Sequence, residues 1–132
     1  MSTRTTVRWG DEVDVDGIRA HFANCFIGAG PTRSRCGEND ESFAETLRQG
    51  YAFYRSIGTR SMWVRQLEVT AIDTNHDMVR VFYRAEYDKH GEPITIDFDL
   101  VYLLQTIEGA TKILAFITGD ETAIYRQHGL MD

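Results

Sequence analysis

The chain's 132 residues suffice for one ordinary domain and are too few for two independent cores, so residues 1–132 read as a single unit. Hydrophobic residues at 42%, charged residues at 26% and only two prolines indicate a folded chain rather than a disordered one. A net charge of -6 without any basic cluster argues against a nucleic-acid partner, and no apolar run approaches the ~20 residues of a membrane span.

Residues 1–12 carry Arg4 and Arg8 but no apolar segment, so they read as an extended arm and not as a secretory leader; a cytoplasmic location is expected. Cys25 and Cys36 are too few and too far apart for a disulfide framework or a redox pair. Asp14 or Asp16 can cap a helix over residues 14–26, where Ile18, Phe22, Cys25 and Phe26 keep helical spacing. Gly28 to Pro31 ends it, and a short extended piece from Thr32 to Cys36 follows. A second helix, capped by Asn39 or Asp40, carries Phe43, Leu47, Tyr51, Tyr54 and Ile57 on one stripe and stops at Gly58. Gly50 inside it predicts a close neighbour.

From Ser61 the hydrophobic period changes from 3.6 to 2. Four strands are predicted over 61–73, 78–88, 93–106 and 110–118, joined by turns at Asp73 to Asp77, Lys89 to Glu92 and Glu108-Gly109. Such short turns make an antiparallel meander. In its third strand Ile94, Ile96, Phe98, Leu100, Tyr102 and Leu104 share one face, opposite Thr95, Asp97, Asp99 and Gln105. Asp120 caps a last helix from Glu121 to His128, closed by Gly129. A sheet with one apolar face needs helices to cover it, so the fold class is α+β.

The run from Asp14 to Ile18 leading into His21 to Cys25 resembles the second-helix segment of the nuclear-transport-factor-2-like, or SnoaL-like, domains, which include the ketosteroid isomerases. Leu100 to Leu104 is similar to that family's penultimate strand, Lys112 to Ile117 to its last, and Ile124 to Leu130 to a tail seen in some members. The resemblance spans residues 14–130. It implies a cystatin-like cone, a strongly curved antiparallel sheet wrapped around helices, with an apolar pocket at its open end. It also implies a homodimer. Members include isomerases, cyclases, epoxide hydrolases, dehydratases and plain binding proteins, so the fold does not name an activity. Family members begin with a long helix that residues 1–12 do not readily supply. Either the 14–26 helix takes its place or the cone is partly open and another subunit covers it.

Three catalytic arrangements come into question. A ketosteroid-isomerase site joins a carboxylate base to an oxyanion hole of a tyrosine and a protonated aspartic acid. Here the base position falls on Ala29 or Gly30, no tyrosine precedes Tyr51, and only Asp97 or Asp99 lies near the aspartate's place, on the polar face. An epoxide-hydrolase Asp–Arg–Asp group could be drawn from Arg80, Arg84, Asp97 and Asp99, although exposed cross-strand ion pairs are the commoner meaning of that pattern. His21 and Cys25, four apart on a helix, have a spacing that can hold a metal, with Cys36 as a third ligand; with nothing else converging on them, no metal and no cofactor are expected.

The catalytic candidates are therefore His21, Asp97 and Asp99. The ligand-binding candidates are Tyr102, Trp63, Tyr83, Tyr54 and Phe98, with Tyr102 favoured because a buried hydroxyl needs a partner that a ligand oxygen can supply. The expected function is binding of a small apolar or lightly oxygenated molecule in the cone, with isomerase, hydratase or cyclase activity open to it. The alternative is a non-catalytic dimerisation or protein-interaction module whose pocket is filled by side chains.

Overall fold

The computed structural model describes residues 6–8 and 14–131. Its elements are β1 (Thr6–Arg8), α1 (Val15–Arg19), β2 (Phe22–Ala29), β3 (Ser34–Glu38), α2 (Glu41–Ser56), β4 (Thr59–Asp73), β5 (His76–Lys89), β6 (Glu92–Ile107), β7 (Ala110–Thr118) and α3 (Glu121–Gln127). One curved sheet contains all the strands in the order β1-β4-β5-β6-β7-β2-β3. The meander β4 to β7 is antiparallel throughout, and β2 joins it in parallel with β7. The extended arm is represented by β1, paired with the β4 edge; the rest of it lies outside the described residues.

Local chemistry accounts for the boundaries. Asp14, Asp40 and Asp120 each accept a hydrogen bond from a backbone N–H three residues on, at 2.9, 3.1 and 3.0 Å, and so begin α1, α2 and α3. His90-Gly91 and Glu108-Gly109 both have positive φ at two successive residues, the mirror-image turn that matches strand twist in a two-residue hairpin. Gly58 has φ +90, and a Cβ there would sit 2.4 Å from the Asp88 carbonyl oxygen, so this end of α2 accepts only glycine.

Two expectations fail here. The helix predicted over 14–26 is only five residues long, and Phe22 to Ala29 forms a strand instead. A spacing of four is two strand repeats and close to one helical turn, so Phe22 and Phe26 share a face in either conformation; backbone pairing with β3 and β7 decides for the strand. The helical approach of Cys25 to His21 goes with it, and Cys25 and Cys36 are exposed. That removes the geometry of the candidate metal pair. Gly50 has nothing within 4 Å of where its Cβ would stand, so it marks no close approach. Gly50→Ala should therefore stabilise the protein by roughly 1 kcal/mol, read as a higher urea midpoint. A loss of stability would mean that this turn of the helix needs glycine for a packing reason.

The core lies on the concave face, where Ile57, Ala85, Tyr87, Ile96 and Tyr125 form one buried cluster. A second, aromatic cluster ties β2 to α2, with Phe26 4.7 Å from Phe43 and 4.9 Å from Phe22 between ring centres. Cover is incomplete at the β4 edge. Leu67 and Val69 pair in register with Val81 and Val79, yet they are 57% and 62% exposed, while their partners are buried. With α1 so short, the cone is partly open among the described residues.

Candidate functional site

Alternation along β5 and β6 sets the site. Tyr83 and Tyr87 on β5, and Phe98, Leu100 and Tyr102 on β6, face inward, and α2 brings Tyr51 and Tyr54 from the opposite side. The result is a cavity of about 160 Å³ lined by all six tyrosines of the chain, together with Glu121. It opens into a wider apolar space of about 640 Å³ towards the mouth, where Val79, Val81, Leu104 and Phe116 are walls. Tyr51, Tyr54, Tyr83, Leu100, Tyr102 and Glu121 border both, so the two are continuous.

The narrow end is a hydroxyl network. The Tyr54 hydroxyl donates to Glu121 Oε2 at 3.0 Å, and the Tyr83 and Tyr102 hydroxyls are hydrogen-bonded at 3.2 Å. The Tyr83 ring stacks on Phe98 with centres 5.3 Å apart. Burial holds the Tyr54, Tyr102 and Tyr125 phenols far above their ordinary range, so they stay protonated. Thr59 Oγ1, near the Tyr87 hydroxyl, is buried without a partner at hydrogen-bonding geometry.

Burial also pushes the Glu121 carboxyl above its ordinary value, against donation from Tyr54 and Tyr125, which pulls it down. The folded state then holds this proton more tightly than the unfolded chain does. The resulting stabilisation is complete below the ordinary glutamate value and is lost as pH rises through the raised folded value. Glu121→Gln, which cannot ionise, should gain stability relative to the wild type as pH rises above about 4, as urea midpoints will show. Parallel pH curves for the two proteins would place the carboxyl in water.

The sequence candidates divide three ways. Tyr102, Tyr83, Tyr54 and Phe98 come together at the narrow end. His21 is exposed at the rim of the wider space, in the turn that follows α1. Trp63, Asp97 and Asp99 lie on the other side of the sheet. Trp63 pairs in register with Arg84 and Arg84 with Asp97, so Trp63 sits on the convex face and borders neither interior space. Asp97 accepts two hydrogen bonds from Arg84, at 2.7 and 2.9 Å, which hold its carboxyl below the usual range; Asp99 accepts one from Arg80 at 2.8 Å. Arg84–Asp97 and Arg80–Asp99 are exposed cross-strand ion pairs.

Glu121 was missed by sequence reasoning, where it served only as the first residue of the last helix. The available signal was Tyr125 four residues on, which puts acid and phenol on one face of α3. A further hollow of about 700 Å³ lies between the β2–β3 hairpin and the start of α2, and Phe116, Thr118 and Glu121 border both it and the wider space. Its walls carry Arg33, Arg35, Glu38 and Asp40, all exposed to water.

Solved structures of similar shape share little sequence with this chain. An NTF2-like protein with a cystatin-like fold from Novosphingobium aromaticivorans superposes with a TM-score of 0.64 at 10% identity, covering 90% of this chain and 77% of that one. Aln2 from a Streptomyces species gives 0.62 at 14% identity, over 86% and 81%. A ketosteroid isomerase-like protein from Erwinia carotovora atroseptica gives 0.58 at 16% identity, over 80% of each chain. At these identities the likeness shows the fold alone. No curated protein matches the sequence. No helix among the described residues is long and apolar enough to cross a membrane. Residues 3–121 match the family described as NTF2-like protein (DUF6841), and with the curved sheet and its covering helices in place, the chain belongs to that NTF2-like family.

Proposed function

We propose that the protein binds a small, mainly apolar molecule in the cone, with its polar group directed at the tyrosines. The observation that carries this reading is the convergence of six phenol groups on the narrow end of an otherwise apolar space. A core that only needed filling would use aliphatic side chains there, because each buried hydroxyl must find a partner. Tyr102 is the favoured contact, with Tyr83, Tyr54 and Phe98 beside it. Isomerase, hydratase or cyclase chemistry is the activity this arrangement leaves open. Thermal shift against a panel of steroids, terpenoids and fatty acids tests the reading. A binder should lose about fivefold in affinity in Tyr102→Phe, the worth of one hydrogen bond. A flat response to the whole panel, and to amine-bearing analogues as well, would sink it.

A second property rests on the convex face. Arg80 pairs in register with Val101 and Val101 with Ile117, and Met78 with Leu103, so these apolar residues share one side of the sheet. Ile117 is 55% and Met78 41% exposed. We infer that two copies pack these faces together. Ile117→Asp should then convert a sedimenting dimer to a monomer. An unchanged sedimentation coefficient would remove this contact from consideration. A pure interaction module with a side-chain-filled pocket is the less favoured reading, because the interior is not filled. Exposed Cys25 and Cys36 suit the reducing cytoplasm in which we place the protein.

A further inference from the structure

Glu121 is a carboxylate turned into an apolar cone, and its hydrogen-bonding neighbours there are the phenols of Tyr54 and Tyr125. Among the described residues, no lysine or arginine lines either interior space, where His21, exposed at the rim, is the one other group that could carry positive charge; Arg33 and Arg35 line the further hollow that Glu121 also borders, and both are exposed to water. A carboxylate drawn away from water is costly to keep ionised without a positive partner. Phenol donors offset part of that cost and leave the charge itself unpaired.

The surrounding walls have matching chemistry. Six tyrosine rings and Phe98 enclose the narrow end, and aromatic rings attract a cation through their quadrupoles. Phenol oxygens also accept hydrogen bonds from an N–H donor. The space of about 160 Å³ is close to one that holds a benzene-sized group, so a compact head fits. Beyond it, Val79, Val81, Leu104 and Phe116 offer an apolar wall to whatever the head is attached to.

We infer that the ligand is a cationic amine with an apolar body, its ammonium head among the tyrosines against Glu121 and its body towards the mouth. This rests on the reading of the cone as a ligand site and narrows it to one class. The ammonium supplies the positive partner that the lining lacks. A neutral alcohol or ketone could use the phenols but would leave Glu121 uncompensated. A carboxylate ligand would meet like charge at the narrow end.

Calorimetric titration of the full chain with three probes of one shape tests the inference: cyclohexylmethylammonium chloride, cyclohexylmethanol and sodium cyclohexanecarboxylate. The ammonium probe should bind about tenfold more tightly than the alcohol, and the carboxylate more weakly than either. Glu121→Gln should erase the ammonium's advantage over the alcohol. Comparing the three probes on the wild-type protein requires no variant, so a Glu121→Gln chain that failed to fold would leave the test intact. Alcohol binding at least as tight as ammonium binding would overturn the assignment and leave the cone a site for neutral molecules. So would an ammonium preference that survives in folded Glu121→Gln. Silence from all three probes, beside positive shifts with steroids or terpenoids, would overturn the amine class alone. Silence from the probes and the panel together would overturn both readings.

Discussion

Tyr87→Ala should cost about 3–5 kcal/mol, the range for truncating a buried aromatic residue, out of a total of about 5–15 kcal/mol for an ordinary domain. Tyr87 is 2% exposed, and it is the largest fully buried side chain of the described residues. Its ring lies 6.0 Å from that of Tyr125 and in the same cluster as Ile57, Ala85 and Ile96. That cluster holds α2 and α3 against the sheet, so a void there loosens both helices and the narrow end of the cone together. Tyr87→Phe is the control. It keeps the ring and removes the hydroxyl, which should cost about 1 kcal/mol. The gap between the two variants in urea titration then measures ring packing. A Tyr87→Ala protein within about 1 kcal/mol of the wild type would show that the cluster is not the core.

Phe26→Ala should be of similar size, about 3–5 kcal/mol, but local in its effect. Phe26 is 8% exposed, and it packs against Phe22, Phe43 and Phe116. Gly37 on β3 is part of the same fit, since a Cβ there would lie 2.9 Å from the Phe26 ring. β2 and β3 form one end of the sheet, β2 pairing with β7 in parallel across a break in register. Losing the ring should let this hairpin open while the meander from β4 to β7 stays closed. Amide hydrogen exchange would show it: protection should fall in β3 well before β5 and β6. Uniform loss across all the strands would mean that the hairpin and the meander unfold as one unit.

The meander was legible because each of its strands is long and alternates, and because turns such as His90-Gly91 have chemistry of their own. The helix caps were legible for the same local reason: a short oxygen side chain three residues ahead of an N–H needs no tertiary partner. Phe22 to Ala29 was not legible. Its aromatic spacing satisfies two periods, and the choice between them lay with strands β3 and β7, one of which is more than eighty residues away in the chain. Among the site candidates, the inward face of β6 followed from period 2, which placed Phe98 and Tyr102 together. Trp63 misled because an aromatic residue on a strand reads as interior until the register of its neighbours is known. Gly50 misled because a glycine shows a missing side chain without showing whether anything fills its place.

The sequence by itself determined the class of fold, the long antiparallel strands, the start of each described helix to within two residues and the polarity of each face of β6. These depend on steric and hydrogen-bonding preferences that act within a few residues. Only the tertiary structure decided that α3 folds back over the cone, turning Glu121 and Tyr125 inward to join tyrosines from α2, β5 and β6. Nothing local distinguishes an acid at a helix start that faces water from one that faces a cavity. The difference arises when separate elements pack, because packing determines which side chains share one low-dielectric space.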